Sequence, residues 1–179
     1  LPVAKADALQ TLRDLQSESV AIVTAFHLVE HLPFDEVLEI IEHAHRVLVP
    51  GGLLILETPN PENLAVGTSS FYLDPTHIRP IPHALLEFAV RHGGFEVTKV
   101  IRLNELVASQ IEQPIRLMDV IAGVSPDYAL VAIKTNNGRD AKPFQALLNC
   151  NYGLALETLA DQYDAERSTT LSDTTFETV

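Results

Sequence analysis

The first third of the chain contains two kinds of apolar pattern: continuous apolar runs, and apolar residues that recur every three or four positions. Val20–Phe26 is almost continuously apolar and β-branched, which predicts a strand covered on both faces. Apolar residues then recur at three- and four-residue spacing from 37 to 48, which predicts one buried stripe of a helix. Residues 53–56 form a second short apolar run. The pattern therefore indicates a strand–helix–strand unit.

Local signals set the expected ends of that helix. Pro33 suits a helix start because its missing N–H would have no partner there, and Asp35 and Glu36 favour the first turn. Residues 50–52, Pro-Gly-Gly, are expected to stop it. In open parallel sheets ligands bind at the carboxyl ends of strands, so we look for chemistry just after residues 26 and 56.

The rest of the chain predicts a smaller set of elements. Residues 59–82 are rich in proline and are expected to form a long ordered loop, anchored by Phe71, Tyr72, Leu73 and Ile78. The other expected elements are helices at 8–15, 84–92, 111–121 and 147–165 and strands at 95–103 and 128–135. This order predicts an α/β fold with a mostly parallel sheet and an antiparallel edge.

The composition of the chain limits the kinds of partner that it is expected to bind. The chain has 179 residues, of which 46% are hydrophobic, and its formal net charge is -12. Such a surface repels phosphate backbones, so we expect no nucleic-acid partner. No apolar run approaches the roughly 20 residues of a membrane span, so we expect no membrane insertion. The single cysteine, Cys150, fits a reducing cytoplasm.

Several segments, in this order, are similar to a known family. Residues 25–32 (Ala-Phe-His-Leu-Val-Glu-His-Leu) and 47–55 (Val-Leu-Val-Pro-Gly-Gly-Leu-Leu-Ile) resemble the second half of class I S-adenosylmethionine-dependent methyltransferases. Residues 57–63 and 72–80 resemble, more specifically, methyltransferase domains of bacterial surface-polysaccharide synthesis. The resemblance covers residues 1–135 and implies a Rossmann-like fold there. Beyond it, the residue pattern predicts a peripheral helical extension over 136–167 and a polar tail over 168–179.

The chain also departs from that family. The family binds its cofactor at a Gly-rich turn after its first strand, and the eight glycines here form no such cluster. We therefore expect a domain truncated at its N-terminal side. Val20–Phe26 would then expose an apolar edge, which favours self-association or a rearrangement near the N-terminus.

Methyl transfer needs a base beside the acceptor hydroxyl, and histidine is the usual one. We assign His77 as the base, Asp74 as the residue that orients it, and Arg79 as a ligand for an anionic acceptor group. His31 is a further acceptor-site residue. The alternatives are structural: Asp74 caps a turn, His77 satisfies loop backbone, and His31 bonds nearby backbone.

The resemblance also implies cofactor contacts. Asp7 and Ala8 correspond to the acidic and small pair that contacts the adenine, and Phe26 and His27 to the residues on the methionine side. Asp7 has an equal alternative as the N-cap of the following helix. Glu57 either binds the acceptor or caps the turn after its strand.

His27, Glu30 and His31 spell H-x-x-E-H, which also occurs in metalloproteases. That zinc motif requires a helix, whereas here it follows a predicted strand directly, so we expect no metal site from these three residues.

Two functions follow from the sequence. The first is S-adenosylmethionine-dependent O-methylation of a glycan or small molecule. The second is a non-catalytic methyltransferase-like fragment that self-associates or acts as a scaffold.

Overall fold

The computed structural model describes residues 3–105, 114–136 and 139–174. The strands are β1 (Val20–Phe26), β2 (Leu48–Pro59), β3 (Val97–Leu103) and β4 (Asp127–Ile133). The helices are α1 (Ala8–Asp14), α2 (Phe34–Val47), α3 (Leu64–Thr68), α4 (His83–His92), α5 (Leu117–Ala122), α6 (Gln145–Asn149) and α7 (Leu156–Thr174).

The four strands form one mixed sheet in the order β1-β2-β4-β3. β1 and β2 are parallel, whereas β4 is antiparallel to both β2 and β3. Three strands therefore share one direction, and the reversed strand lies one position inside the edge. The predicted α/β, Rossmann-like fold with a mixed sheet is confirmed.

Helices α2 and α4 cover one face of the sheet. Their apolar stripes, which include Val37, Ile41, Leu86 and Val90, are fully buried against β2 and β4. Leu12 of α1 packs on Ile40 of α2, beside Val20 and Val23 of β1. The strand–helix–strand pattern therefore produces the core that holds the carboxyl ends of β1 and β2 side by side.

Two boundaries in this unit differ from the prediction. Helix α2 already ends at Val47, and β2 runs through residues 50–52 instead of starting after them. The register with β1 shifts there, since Val20 pairs with Leu48 but Ile22 pairs with Leu53. Gly51 has a φ of 82°, a conformation that glycine adopts without strain. The Pro-Gly-Gly segment is thus an irregularity within a strand and not a helix stop.

Strand β1 was predicted to be covered on both faces, and this is wrong. Ala25 is its one buried residue, and Ile22 and Phe26 are 54% and 57% exposed. Within the described residues β1 pairs with β2 alone. An apolar run indicates that burying the strand would lower its free energy. Whether the strand is buried depends on which elements of the fold pack against it.

The loop between β2 and α4 is ordered chiefly by polar groups. Phe71 is buried, but the other expected anchors, Tyr72, Leu73 and Ile78, are more than half exposed. Instead, the buried amide of Asn63 donates to the carbonyl oxygens of Ala122 and Val124, and Asn60 donates to that of Ser125.

The C-terminal segment also differs from a single peripheral helix with a frayed tail. It forms α6 and α7, and α7 continues to Thr174. Leu159 of α7 is fully buried against Ile115, Val120 and Val124. Within the described residues, α7 packs on α5. Of the helix expected at 111–121, residues 111–113 lie outside the described residues. None of the described helices is long and apolar enough to cross a membrane.

Candidate functional site

The site begins where β1 ends. Phe26 is the register partner of Glu57 on β2, and the N–H of His27 donates to the Glu57 carbonyl at 3.0 Å. His27 has a φ of 48°, in the left-handed region that residues other than glycine rarely adopt. Such strain persists where surrounding contacts enforce it and is common at functional sites. The chain thus turns sharply and points the His27 side chain across the ends of the strands.

Three carboxylates surround the His27 imidazole. Its Nδ1 atom lies 3.1 Å from Oε1 of Glu30, and Nε2 lies 3.4 Å from Oε1 of Glu57 and 4.0 Å from Oδ1 of Asp127. The Asp127 carboxylate also accepts from Asn104 at 2.8 Å. This end of the sheet therefore gathers negative charge around one half-exposed imidazole.

Glu30 links the two strand ends to the loop beyond β2. Its side chain is fully buried, and Oε2 accepts from the Thr58 hydroxyl at 3.0 Å. Its backbone carbonyl accepts from the N–H of Ile78 at 2.8 Å. Residue 78 is thereby held beside residue 30, although 48 positions separate them in the chain.

That connection places His77 against His31, with ring centroids 4.7 Å apart. Nδ1 of His77 lies 2.6 Å from the carbonyl oxygen of Phe71, which can only accept, so Nδ1 carries the proton. Phe71 also packs on the His77 ring, with centroids 4.4 Å apart. In the neutral ring the free lone pair is therefore on Nε2.

Asp74 does not orient His77 as predicted. Its Oδ2 atom lies 3.9 Å from Nε2 of His77, too far for a hydrogen bond. Its Oδ1 atom accepts from both the hydroxyl and the N–H of Thr76, and these bonds, the hydroxyl's first, hold the pKa of Asp74 below its usual value. Asp74 therefore stabilises the turn, and the Phe71 carbonyl orients His77.

His31 is tied to the same turn. Its Nδ1 atom lies 2.9 Å from the Thr76 hydroxyl oxygen, so Thr76 connects His31 to Asp74. The alternative in which His31 and Glu30 bond only nearby backbone is wrong for their side chains. Phe26, His31, Glu57 and His77 thus gather at one end of the sheet.

An apolar cavity of about 310 Å³ lies beside β1, between the N-terminal segment and α2. Ala8, Thr24, Leu28 and Ile40 contribute to its lining. Asp7 borders Ala8, but its carboxylate accepts from the N–H of Gln10 at 2.7 Å and caps α1. The N-cap role of Asp7 is therefore present, and its predicted contact with adenine stays a prediction.

Arg79 lies against α2. Its guanidinium carbon is 4.4 Å from the centroid of the Phe34 ring, a cation–π contact. Its Nη2 atom is buried without a hydrogen-bond partner among the described residues. The arginine thus has an unused donor, and its role toward an acceptor stays a prediction.

Sequence reasoning missed Asp127, Thr58 and Thr76. Asp127 starts an antiparallel strand, and its amino end meets the carboxyl end of β2 only because β4 pairs with β2. Pairing of distant strands leaves no local trace, so spacing could not reveal Asp127. Thr58 and Thr76 lie inside residues 57–63 and 72–80, which the resemblance had already marked, so the other polar residues of those two segments were an available signal.

The H-x-x-E-H segment is not on an α-helix. Val29–His31 forms a single turn of 3-10 helix after β1, and Nδ1 of His27 faces Glu30. The structural requirement of the metalloprotease motif is therefore not met.

The comparisons with known proteins agree with this architecture. Residues 1–56 match the family model described as a methyltransferase domain. A probable S-adenosylmethionine-dependent methyltransferase of Mycolicibacterium smegmatis (strain ATCC 700084 / mc(2)155) is 35% identical over 83 residues, which are 46% of this chain and 31% of that protein. The match thus covers less than a third of that relative.

Solved structures extend the likeness to most of the chain. A SAM-dependent methyltransferase from Archaeoglobus fulgidus is 25% identical, with a TM-score of 0.65 over 73% of this chain and 66% of that one. A putative methyltransferase from Haloferax volcanii, solved with the Trm112 methyltransferase activator, shares the fold at 16% identity, with a TM-score of 0.51 over 69% of this chain and 57% of that one.

These findings support a class I methyltransferase fold of the S-adenosylmethionine-dependent type. The cofactor they imply is S-adenosylmethionine.

Proposed function

We propose that this chain carries the acceptor side of an S-adenosylmethionine-dependent methyltransferase and acts on a hydroxyl of a glycan or small molecule. One observation carries the proposal. The side chains of His27, Glu30, Glu57 and His77 gather at the carboxyl ends of two parallel strands, in a fold shared with S-adenosylmethionine-dependent methyltransferases.

The residues beside β1 suit the implied cofactor. The cavity next to Ala8 is largely apolar, as an adenine ring requires, and it continues through Leu28 toward the strand end. There Glu57 and Asp127 supply negative charge beside Phe26 and His27, which suits the cationic amino and sulfonium groups. When bound, S-adenosylmethionine supplies an electrophilic methyl group.

His77 is our choice for the base. Because its Nδ1 proton is donated to the Phe71 carbonyl, Nε2 would be free to accept the proton that an acceptor hydroxyl loses when it is methylated. His31 packs beside it and borders the same space. We infer that Arg79, which has a donor without a partner among the described residues, binds a phosphate or carboxylate of the acceptor. The acceptor class and a place in surface-polysaccharide synthesis rest on the resemblance of residues 57–63 and 72–80, and the cytoplasmic location rests on the single cysteine, Cys150.

Calorimetric titration with S-adenosylhomocysteine tests cofactor binding directly. We expect saturable heat, and its absence at millimolar ligand would contradict binding by this chain.

In a transfer assay with a glycan acceptor, His77→Ala should lower turnover by about 10²-fold or more, as for the loss of a general base. Its affinity for S-adenosylhomocysteine should not change. Unchanged turnover would remove His77 from the role.

The open edge of β1 favours a second candidate, a self-associating scaffold. Ile22 and Phe26 are more than half exposed there, and exposed apolar edges pair readily with other strands. Sedimentation velocity should then show a dimer that Ile22→Lys weakens by about tenfold or more, equivalent to about 1.4 kcal/mol. Leu117 on α5 has a side chain as exposed as that of Ile22, so Leu117→Lys is the matched control and should leave association unchanged. A monomeric parent chain would contradict this candidate.

A further inference from the structure

Two histidines and one glutamate from separate segments meet beside the strand ends. One ligand atom from each of Glu30, His31 and His77 lies within 4.8 Å of the other two. We propose that these three side chains form a binding site for a divalent cation of the zinc class. The site uses His77 in place of His27, so it differs from the H-x-x-E-H motif and does not depend on a helix.

The donor set suits zinc. Two imidazole nitrogens and one carboxylate oxygen form a three-ligand set that leaves a fourth position open to water or substrate. Bonds of about 2.0–2.1 Å place tetrahedral ligand atoms about 3.3 Å apart, so the three side chains must draw together slightly. Glu30 is buried and the two histidines are partly exposed, so small shifts of the histidine side chains that keep their Nδ1 contacts would make this adjustment.

The surroundings already hold both imidazoles as metal ligands are usually held. Such a histidine typically gives its other ring N–H to a carbonyl, a carboxylate or a hydrogen-bonded partner, which fixes its tautomer and its orientation. Here Nδ1 of His77 bonds the Phe71 carbonyl, and Nδ1 of His31 lies 2.9 Å from Thr76 Oγ1, whose proton goes to Asp74. Both rings therefore keep Nε2 for the cation.

Charge also favours a cation here. Glu30 is fully buried, and within the described residues no lysine or arginine forms an ion pair with it. Each carboxylate oxygen has two lone-pair sites, so Glu30 can bind a cation and keep its contacts with His27 and Thr58. The net charge of the chain, -12, raises the local concentration of cations.

This inference does not rest on the proposed methyl transfer, but it bears on it. The cation would occupy Nε2 of His77, the atom that we assign as the base. Metal binding and proton acceptance by His77 therefore exclude each other, and zinc should inhibit transfer where transfer occurs.

Cobalt(II) is the probe that reports the site without any assay of activity. We expect a saturable visible absorption band on titration of the chain with Co²⁺, and its loss when Zn²⁺ displaces Co²⁺. His31→Gln and His77→Gln should each weaken Co²⁺ affinity by more than tenfold. Thr76→Val, which removes only the hydroxyl beside His31, should weaken it by about tenfold, as other outer-shell changes do.

Two controls keep the result interpretable. His92→Gln, an exposed histidine on α4, should leave Co²⁺ affinity unchanged. Circular dichroism verifies that each variant is folded, and the histidine variants carry the test because Glu30→Gln alters a buried group. No saturable band would overturn the proposal. So would a band that survives His31→Gln and His77→Gln but is lost in His27→Gln, because that would place the cation among His27, Glu57 and Asp127.

Discussion

Strands β1 and β4 have the same length and a similar apolar character, yet they occupy opposite environments. In β4, residues 128–133 are all buried, because β2 and β3 flank the strand. In β1, Ala25 is the one buried residue. Among the described residues, only β2 pairs with this strand, along one of its two edges. The contrast teaches that β4 supports the sheet, whereas β1 is the strand at whose open side ligands or other chains can approach.

A pair of identical substitutions measures this contrast. Ile133→Ala in β4 removes a side chain that is 1% exposed and should lower the free energy of unfolding by about 2–5 kcal/mol. Ile22→Ala in β1 removes one that is 54% exposed and should cost less than about 1 kcal/mol. Urea denaturation at one protein concentration gives both values. Equal losses would mean that β1 is buried in solution.

The C-terminal segment strengthens the β3–β4 side through Glu62. Its carboxylate contacts Arg102 at 2.7 Å and 3.2 Å and accepts from the N–H of Leu156 at 3.1 Å. Burial acts to raise the pKa of Glu62, but these hydrogen bonds and the charge of Arg102 outweigh it and hold the pKa below 4.5, its ordinary value. Glu62→Gln should lower the free energy of unfolding at pH 7 by about 1.5–3 kcal/mol.

The pH dependence of that effect has a defined sign. Because the pKa is lower in the folded state, the folded chain binds fewer protons, so the stabilisation is complete above about pH 4.5 and is lost as the pH falls through the folded pKa. Urea titrations from pH 7 to pH 3 should show the parent and Glu62→Gln converging in acid. Glu157→Gln, an exposed neighbour on α7, is the control and should follow the parent. A constant difference down to pH 3 would exclude the ionised carboxylate as its source.

The smallest effect separates two roles of Asp7 on the β1 side. Asp7→Ala removes the N-cap of α1 and should cost about 1 kcal/mol in urea denaturation. Asp7→Ser restores a capping oxygen and should recover most of that loss. If the carboxylate also contacts adenine, Asp7→Ser weakens S-adenosylhomocysteine binding while stability returns. Unchanged binding in Asp7→Ser would leave Asp7 a cap alone.

Much of the fold was readable from local sequence. Val20–Phe26 has the predicted bounds, and α2 begins immediately after Pro33, because strand propensity and helix caps act within a few residues. The end of α2 was placed too late, since Pro-Gly-Gly is also compatible with an irregular strand. Here backbone hydrogen bonds of Gly51 and Gly52 with Lys134, the residue after β4, decide in favour of the strand.

The candidate site divides in the same way. The family resemblance marked Phe26 and His27, whereas position marked Glu57, which ends its strand, and His77, which lies in the long loop beyond that strand. The three-residue spacing suggested that Asp74 orients His77. In the structure the Asp74 carboxylate accepts hydrogen bonds from the hydroxyl and the N–H of Thr76 instead, which lie closer to it than His77 does.

What the sequence alone determined is the β1–α2–β2 unit and the chemical groups at its ends, since hydrophobic period and capping are properties of neighbouring residues. Tertiary structure alone decided that β4 enters between β2 and β3, that the faces of β1 stay largely exposed, and that Glu30, His31 and His77 share one small space. Those outcomes depend on contacts between segments tens of residues apart, whose free energy comes from the packed sheet and leaves no periodic signal along the chain.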